Sequence, residues 1–399
     1  MHVTIDVHEV ASFDPLNDLR MRLLEHIAKT HLTWEQGEVR PALVVITHML
    51  TDRPALLTVL SSYFDIKHVF AIPYSTNREV ASWTARHFPM TEPSLADLNV
   101  GSCLVEKMKA AAALSSGVVL FEIGGYGARH IPRLSEEIRG RLLGVVEGTA
   151  SGYERYSKVP APKTPIVAMS LSPIKAAECA LVGSAALFSI ERVIRSIGLT
   201  NEVRTVLIIG YGRVGKSAAQ ACRSRNMDVY VYDINPIQRV QALADGFLVS
   251  DRAVALSRAD LVLGTTGHRS WTASDALHMN DGAFLASTSS RDVEFEFDEL
   301  KRSYPTHSIL PGLDSVTVAD RRLHFLYEGQ PVNFRDGANL GPILALLQAQ
   351  IVVSLGALVK RALSPGVQAP DITSTEELIS AWSKVFLDES IGWYRRRTI

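Results

Sequence analysis

A glycine-rich turn near the middle of the chain has the spacing that nucleotide-binding proteins use to hold phosphate groups. Residues 204–210 (RTVLIIG) form an apolar run, residues 210–215 read GYGRVG, and residues 216–223 have helical periodicity. In such a strand–turn–helix unit, the first glycine permits the tight turn, the second lets a pyrophosphate approach the backbone, and the third lets helix and strand pack closely. The helix N-terminus adds free N–H groups and the positive end of its dipole. The residues that we expect at the phosphates are Gly210, Gly212, Arg213, Val214 and Gly215.

An acidic residue at the end of the next apolar run indicates which dinucleotide binds. Asp233 ends residues 228–233 (DVYVYD), 18 residues after the last glycine of the turn. A carboxylate there accepts hydrogen bonds from the ribose hydroxyls and repels a 2′-phosphate, and the two residues after it supply no arginine. The motif therefore predicts NAD rather than NADP. Thr266, just after residues 261–264 (LVLG), is expected beside the nicotinamide ribose, although a polar loop without a ligand explains it equally well.

An alternation of strand-like and helical patterns must position these residues. The strands predicted in a first series are residues 42–47, 67–72, 118–121, 142–147 and 165–169, and those in a second series are 206–209, 229–232, 261–264, 283–286 and 308–310. The predicted helices include residues 52–64, 98–114, 173–197, 340–363 and 374–394, and a hairpin-like region includes 323–327. Such alternation is typical of parallel sheets that are covered by helices on both faces.

The predicted fold is α/β, with two doubly wound parallel-sheet domains. The second is a Rossmann NAD-binding domain inserted before the C-terminal helices. We expect the substrate domain to comprise residues 1–180, completed by the C-terminal helices in 350–399, and the NAD-binding domain to comprise residues 181–349.

Composition excludes several other classes of protein. Lys and Arg number 41 against 42 Asp and Glu, which gives a formal net charge of −1 and no basic footprint for nucleic acid. No run of 18 apolar residues predicts a membrane span, and the first residues lack the pattern of a signal peptide. Cys103, Cys179 and Cys222 are too widely spaced for a zinc site or a disulfide framework. We therefore expect a cytoplasmic protein without a bound metal.

The segment from the glycine turn onward resembles the cofactor segment of S-adenosyl-L-homocysteine hydrolase. Residues 210–247 follow that family's GYGDVGKG, acidic strand end and Ala-rich helix, and residues 265–300 follow its TTG…MKDGAIL…IGHFDxEID pattern. Upstream, ITHMLTDRPALLTVL, IPYSTNREVASW and GVVEGTASGYERY resemble three further motifs, so the resemblance covers about residues 40–345. It implies a homo-oligomer, a dimer or tetramer, that uses tightly bound NAD to oxidise the 3′-hydroxyl of a nucleoside before homocysteine is eliminated.

The same resemblance implies roles for individual residues outside the glycine turn. Lys175 stands where the family has its catalytic lysine, and His48 stands on its active-site histidine. Thr149 and Ser151 match two threonines that reach the nicotinamide, and Asn333 matches an asparagine near the carboxamide. Plainer interpretations remain open, since a histidine at a strand end is often structural and a lysine on a helix is often solvated.

Three further residues are weaker candidates. Glu147 and Asp52 lie near predicted strand ends and could act as a base, or have ordinary surface and capping roles. Cys179 follows Lys175 by one helical turn and could be a nucleophile, although packing is the usual role of such a cysteine.

Several acid–base positions of the family carry other residues here. The family's Asp-Asn pair is Cys179-Ala180, the second Glu of its SEET motif is Gly148, an Asp is Ile123, and the histidine of its IGH motif is Ser290. Its C-terminal motif is also absent, and the chain ends IGWYRRRTI, whose arginines are expected to be solvated. One acid–base group contributes about 10²–10⁴-fold to a rate. These exchanges therefore predict that the chain does not catalyse the family's full reaction.

The sequence therefore predicts an NAD-dependent enzyme that acts on a different small substrate by redox chemistry at a hydroxyl or ketone. Two alternatives remain open: a non-catalytic NAD-binding regulatory protein, and a true adenosylhomocysteinase with relocated catalytic groups.

Overall fold

Two compact units make up the chain in this computed structural model, which describes residues 5–33, 39–199, 202–289, 293–335 and 340–389. The first unit comprises Met1–Lys175 with Gly341–Ile399, and the second comprises Ala176–Leu340. The sequence analysis placed these boundaries at 180/181 and 349/350, five and nine residues later.

The first unit is built on a seven-stranded sheet in which all neighbouring strands are parallel. The strand order is β15-β6-β5-β4-β1-β2-β3. Its strands are β1 (Ala42–Met49), β2 (Asp65–Thr76), β3 (Met90–Thr91), β4 (Val118–Glu122), β5 (Leu142–Glu147), β6 (Pro165–Ala168) and β15 (Gly366–Gln368). All eight residues of β1 are buried, as expected for a central strand with both faces covered.

The first unit also contains α-helices that flank and connect these strands. They are α1 (Val7–Phe13), α2 (Asn17–His31), α3 (Arg53–Tyr63), α4 (Arg78–His87), α5 (Leu95–Val100), α6 (Ser102–Ala113), α7 (Ile131–Glu137), α8 (Ala150–Ser157), α14 (Pro342–Val359) and α15 (Thr375–Ser383). A π-helical turn, Lys384–Glu389, follows α15. The helix α9 (Pro173–Ser196) begins in the first unit and continues into the second.

The second unit is built on an eight-stranded sheet in the order β12-β13-β14-β11-β10-β7-β8-β9. Its strands are β7 (Thr205–Ile209), β8 (Asp228–Tyr232), β9 (Leu248–Val249), β10 (Leu261–Gly264), β11 (Phe284–Ser287), β12 (Thr306–Leu310), β13 (Leu313–Val318) and β14 (Arg321–Leu326). Its other α-helices are α10 (Arg213–Arg223), α11 (Pro236–Ala244), α12 (Arg252–Leu256) and α13 (Phe297–Ser303). The α/β class with two doubly wound sheets is confirmed.

One predicted helix was wrong, and one predicted strand is present but pairs differently from the rest of its series. Residues 98–114 form two helices rather than one, because Gly101 adopts a left-handed conformation (φ +69°) and a side chain there would overlap the ring of His130. The strand predicted at 308–310 does not continue the parallel series. It lies in β12, which pairs with β13 in an antiparallel hairpin that turns at Gly312 (φ +88°).

Two described helices, α9 and α14, are long and apolar enough to cross a membrane by length and composition alone. The apolar character of α14 has another explanation, because the helix packs against α2, α15 and β5 of the first unit. Its residues from Leu344 to Gly356 are all buried.

Candidate functional site

The carboxyl ends of four neighbouring strands in the second unit bring the predicted cofactor residues to one edge. The parallel strands β11, β10, β7 and β8 are adjacent in that order. The glycine turn follows β7, Asp233 follows β8, and Thr266 follows β10. Asn333 joins this edge because Pro331 forms a β-bridge to Ser287 at the end of β11. Open parallel sheets bind their ligands at this edge.

The three glycines of the turn differ in what surrounds them. Gly210 has φ +100°, a conformation that L side chains rarely adopt. A Cβ on Gly215 would overlap the carbonyl oxygen of Gly210, so this glycine allows α10 to pack on β7. Gly212 is the N-cap of α10 with φ −75°, and a Cβ there would meet no described atom within 4 Å. The space beside Gly212 is therefore open to a ligand.

Asp233 both ties the turn to β8 and keeps acceptor capacity for a ribose. Its carboxylate accepts hydrogen bonds from the backbone N–H of Tyr211 (2.7 Å) and of Asn235 (2.8 Å), one on each oxygen. Each oxygen has a second lone pair. The link to Tyr211 is a structural role that the sequence prediction did not include.

A buried acceptor at Asn333 also fits a bound cofactor. The Asn333 Oδ1 atom is buried and has no hydrogen-bond partner among the described residues. Buried polar atoms are normally paired, so an unpaired one at a ligand edge is consistent with a group that binds there. Arg213 and Val214 open α10, where Arg213 is exposed and Val214 is half-buried. The open space at Gly212 and this orphaned oxygen both fit NAD.

A buried carboxylate that the sequence prediction missed lies beneath Thr266. Glu294 is fully buried, and its side chain accepts hydrogen bonds from Thr266 Oγ1 (2.9 Å) and the Gly267 N–H (2.5 Å). Burial raises the pKa of Glu294, while polar contacts with the Ser270 side chain, the Gly267 N–H and Thr266 oppose that shift. The sequence did carry a signal for it, since Glu294 falls on the glutamate of the IGHFDxEID pattern that residues 265–300 follow.

In the first unit, His48 lies at the end of the central strand in a buried polar cluster. His48 Nδ1 lies 2.5 Å from Ser75 Oγ at the end of β2. Burial, then the cations Arg53 and Lys175, lower the pKa of His48 from 6.5 to about 3. The structure therefore places His48 and Lys175 close enough to interact, with the imidazole neutral at pH 7.

Asp52 belongs to the same unit and is held by two side chains. Its Oδ2 atom lies 2.9 Å from Arg53 Nη2 and 2.5 Å from Gln348 Nε2 of α14. Arg53 Nε and Gln348 Oε1 are buried without a partner among the described residues. Asp52 is thus an ion-paired carboxylate, and the polar atoms beside it could still bind a ligand.

Glu147 is a second buried carboxylate of the first unit. It accepts hydrogen bonds from the N–H groups of Gly124, Gly125 and Thr149 and from the Thr149 hydroxyl, at 2.7–3.1 Å. Burial, and then the Glu122 carboxyl on the neighbouring strand, raise the pKa of Glu147 to about 8. Ser151 Oγ lies 3.2 Å from Thr149 Oγ1. Glu147 therefore orders the start of α8, where both predicted nicotinamide contacts lie.

Two of the exchanged family positions form an apolar contact. Ile123 and Gly148 are both buried, and a Cβ on Gly148 would lie 3.2 Å from Ile123 Cγ1. Cys179 is buried and its thiol lies 3.5 Å from Glu178 Oε2. Ser290 and the three C-terminal arginines lie outside the described residues.

Comparison with known proteins relates the second unit to one family. Residues 189–338 match the family model described as S-adenosyl-L-homocysteine hydrolase, NAD binding domain. Over 144 residues the chain is 32% identical to the adenosylhomocysteinase of Thermococcus kodakarensis, a match that covers 35% of this chain and 34% of that protein.

Two proteins named S-inosyl-L-homocysteine hydrolase are also similar. The one from Methanosarcina mazei is 27% identical over 207 residues, which are 51% of this chain and 50% of that protein. The one from Methanothermobacter thermautotrophicus is 28% identical over 185 residues, 44% of each chain. The matched segments thus span about a third to a half of these relatives.

The fold and the edge of the second sheet define a protein with a Rossmann NAD-binding domain. The family match makes NAD its cofactor. Residues 189–338 are thus similar to the NAD-binding domain of the S-adenosyl-L-homocysteine hydrolase family.

Proposed function

We propose that this protein is an NAD-dependent enzyme that acts on a small substrate by redox chemistry at a hydroxyl or ketone. The observation that carries the proposal is the neutral His48 beside the Lys175 cation in the first unit. A neutral imidazole can accept a hydrogen bond from a hydroxyl, and an ammonium stabilises the same oxygen as it becomes negative.

The residues of the two units have separate tasks in this proposal. NAD, when bound, supplies the acceptor or donor of a hydride. In the first unit, His48 orients the substrate oxygen, Lys175 stabilises its negative charge, and the unpaired Arg53 Nε and Gln348 Oε1 atoms bind further polar groups of the substrate. The proposed cofactor contacts of the second unit are Gly210, Gly212, Arg213, Val214, Gly215, Asp233, Thr266 and Asn333. Roles for Thr149 and Ser151 of the first unit stay predictions from the family resemblance.

The contact between Ile123 and Gly148 argues for a substrate other than S-adenosylhomocysteine. Carboxylates at those two positions would supply acid–base chemistry, whereas an isoleucine against a glycine supplies only apolar surface. We therefore propose that the cofactor site is retained while the chemistry beside it differs from that of the family.

A K175A variant tests the proposed role of the lysine. Cofactor-loaded protein is incubated with a panel of small alcohols and ketones, and NADH is followed by its fluorescence. We expect K175A to lose at least tenfold in rate, and K158A to retain it, because Lys158 is an exposed lysine paired with Glu154 on the surface. K175A protein that turned over substrate at the parent rate would refute this assignment.

A second candidate is hydrolysis of an S-nucleosylhomocysteine, which the names of the relatives favour. Incubation with S-adenosyl- and S-inosyl-homocysteine, with detection of the released thiol, distinguishes it. Released homocysteine would establish the hydrolase and displace the proposed redox reaction on another substrate.

A third candidate is a non-catalytic protein that keeps NAD as a structural or sensing ligand. It requires that no compound of either panel changes the redox state of the bound cofactor. A cytoplasmic location and a homo-oligomeric assembly stay predictions, which fractionation and light scattering can check.

A further inference from the structure

Glu294 connects two parts of the turn that follows β10. Its side chain accepts hydrogen bonds from Thr266 and Gly267 at one end, and its backbone carbonyl accepts one from the N–H of Ser270 at the other (3.1 Å). Gly264 at the end of β10 makes room for it, since a Cβ there would lie 2.8 Å from Glu294 Oε2. The carboxylate is therefore built into the turn rather than lying beside it.

Thr265 and Thr266, in the turn that Glu294 contacts, pack against the glycine turn after β7. Thr265 Oγ1 lies 3.0 Å from the carbonyl oxygen of Ile209 and 2.8 Å from that of Gly210. A Cβ on Gly210 would lie 2.8 Å from Thr266 Cγ2. A shift of Thr265 and Thr266 would therefore change the surface beside the first glycine.

We propose that Glu294 is a positioning residue of the NAD site, which fixes residues 265–267 so that Thr266 contacts the nicotinamide half of the cofactor. The proposal rests on NAD binding to the second unit and not on the proposed redox reaction. It predicts that Glu294 affects NAD more than a nucleotide that lacks the nicotinamide half.

Three substitutions of Glu294 distinguish a role in positioning residues 265–267 from a role in the stability of the fold alone. E294A removes the acceptor of the Gly267 N–H and the carboxylate that contacts Thr266 Oγ1, whose hydroxyl can then donate only to the carbonyl of His268. E294D retracts the carboxylate by one methylene and cannot keep both contacts at their present lengths. E294Q can keep both, because its amide oxygen can accept from Gly267 while its NH₂ donates to Thr266 Oγ1, whose hydroxyl then donates to the carbonyl of His268, 2.9 Å away.

Asp260 provides a matched control at the opposite edge of the same sheet. Its Oδ2 atom accepts hydrogen bonds from the N–H groups of Arg204 (2.9 Å) and Thr205 (2.8 Å) at the amino end of β7. D260A therefore removes a carboxylate that ties two backbone N–H groups, at a place remote from the glycine turn. It should lower the melting temperature and leave cofactor affinity unchanged.

The experiment measures NAD and AMP affinity of the full chain, freed of bound nucleotide, by calorimetry, together with the melting temperature. We expect E294A and E294D to weaken NAD at least tenfold and AMP less than threefold, and E294Q and D260A to bind NAD within threefold of the parent. If E294A does not fold, E294D decides. Parent-like NAD affinity in E294D, equal losses for NAD and AMP, or a loss in D260A as large as in E294D would each overturn the proposal.

Discussion

The second glycine of the turn offers a test in which ligand binding and folding respond differently. Gly212 has φ −75°, which alanine adopts readily, and a Cβ there would meet no described atom within 4 Å. The added methyl group should therefore not collide with any described atom of the protein. It would instead occupy the space through which a pyrophosphate approaches the backbone.

The expected magnitudes follow from this geometry. Alanine is a poorer N-cap than glycine by up to about 1 kcal/mol, and the loss of freedom in the unfolded chain offsets this by about 0.4–1 kcal/mol. The melting temperature of G212A should therefore stay within about 3 °C of the parent. A charge-assisted hydrogen bond contributes about 1.5–3 kcal/mol, so the loss of one of them to the pyrophosphate should weaken NAD about 10- to 100-fold.

G215A is the matched comparison, because its Cβ would overlap the carbonyl oxygen of Gly210. Overpacking of this kind costs about 1–3 kcal/mol, so the melting temperature should fall by at least about 3 °C. Calorimetry with NAD and thermal unfolding without it measure both effects. G212A protein that bound NAD like the parent, or that unfolded as early as G215A, would contradict the assignment of the open space to the cofactor.

Three further outcomes are expected. His48 stays neutral in the fold down to about pH 3 while the unfolded chain takes up a proton below its pKa of 6.5, so the free energy of unfolding falls as pH drops from 6.5 to 3. The part of that fall due to His48 is about 2 kcal/mol at pH 5, and urea titrations of H48Q should lack it. D233N removes the charge that repels a 2′-phosphate, so its preference for NAD over NADP should fall at least tenfold in calorimetry, and an unchanged ratio would exclude this role. G152A should lower the melting temperature by several degrees, because a Cβ there would overlap the carboxyl carbon of Glu147; a parent-like value would show that the Glu147 loop is not packed as described.

The cofactor edge could be predicted from the sequence because its signals are local. The strand, the three glycines and the helix lie within about twenty consecutive residues, and Asp233 follows at a spacing that one strand–helix–strand unit fixes. Short-range patterns of this kind depend little on the rest of the fold. The family match to residues 189–338 supports the same assignment of NAD.

The parts that the sequence did not predict depend on contacts between distant residues. Glu294 bonds to Thr266 across 28 positions, and nothing in the local composition states that its carboxylate is buried. The break at Gly101 depends on the ring of His130, 29 positions away. Periodicity describes one element at a time, so a turn that is required by a neighbouring element is invisible to it.

The chain can keep a cofactor site while it lacks the family's acid–base groups. Backbone atoms form the cofactor site, whereas side-chain atoms supply acid–base chemistry. The glycine turn binds through backbone N–H groups and through the absence of side chains, so exchanges in the first unit leave it intact. The chemistry at positions 123 and 148 depends wholly on side chains, and there an isoleucine now meets a glycine. A carboxylate restored at 148 alone would place its Cβ 3.2 Å from Ile123 Cγ1, closer than ordinary van der Waals contact, and would be desolvated in this buried position. Recovery of the family's chemistry would therefore require changes at both positions together, and this requirement underlies our proposal of a different substrate.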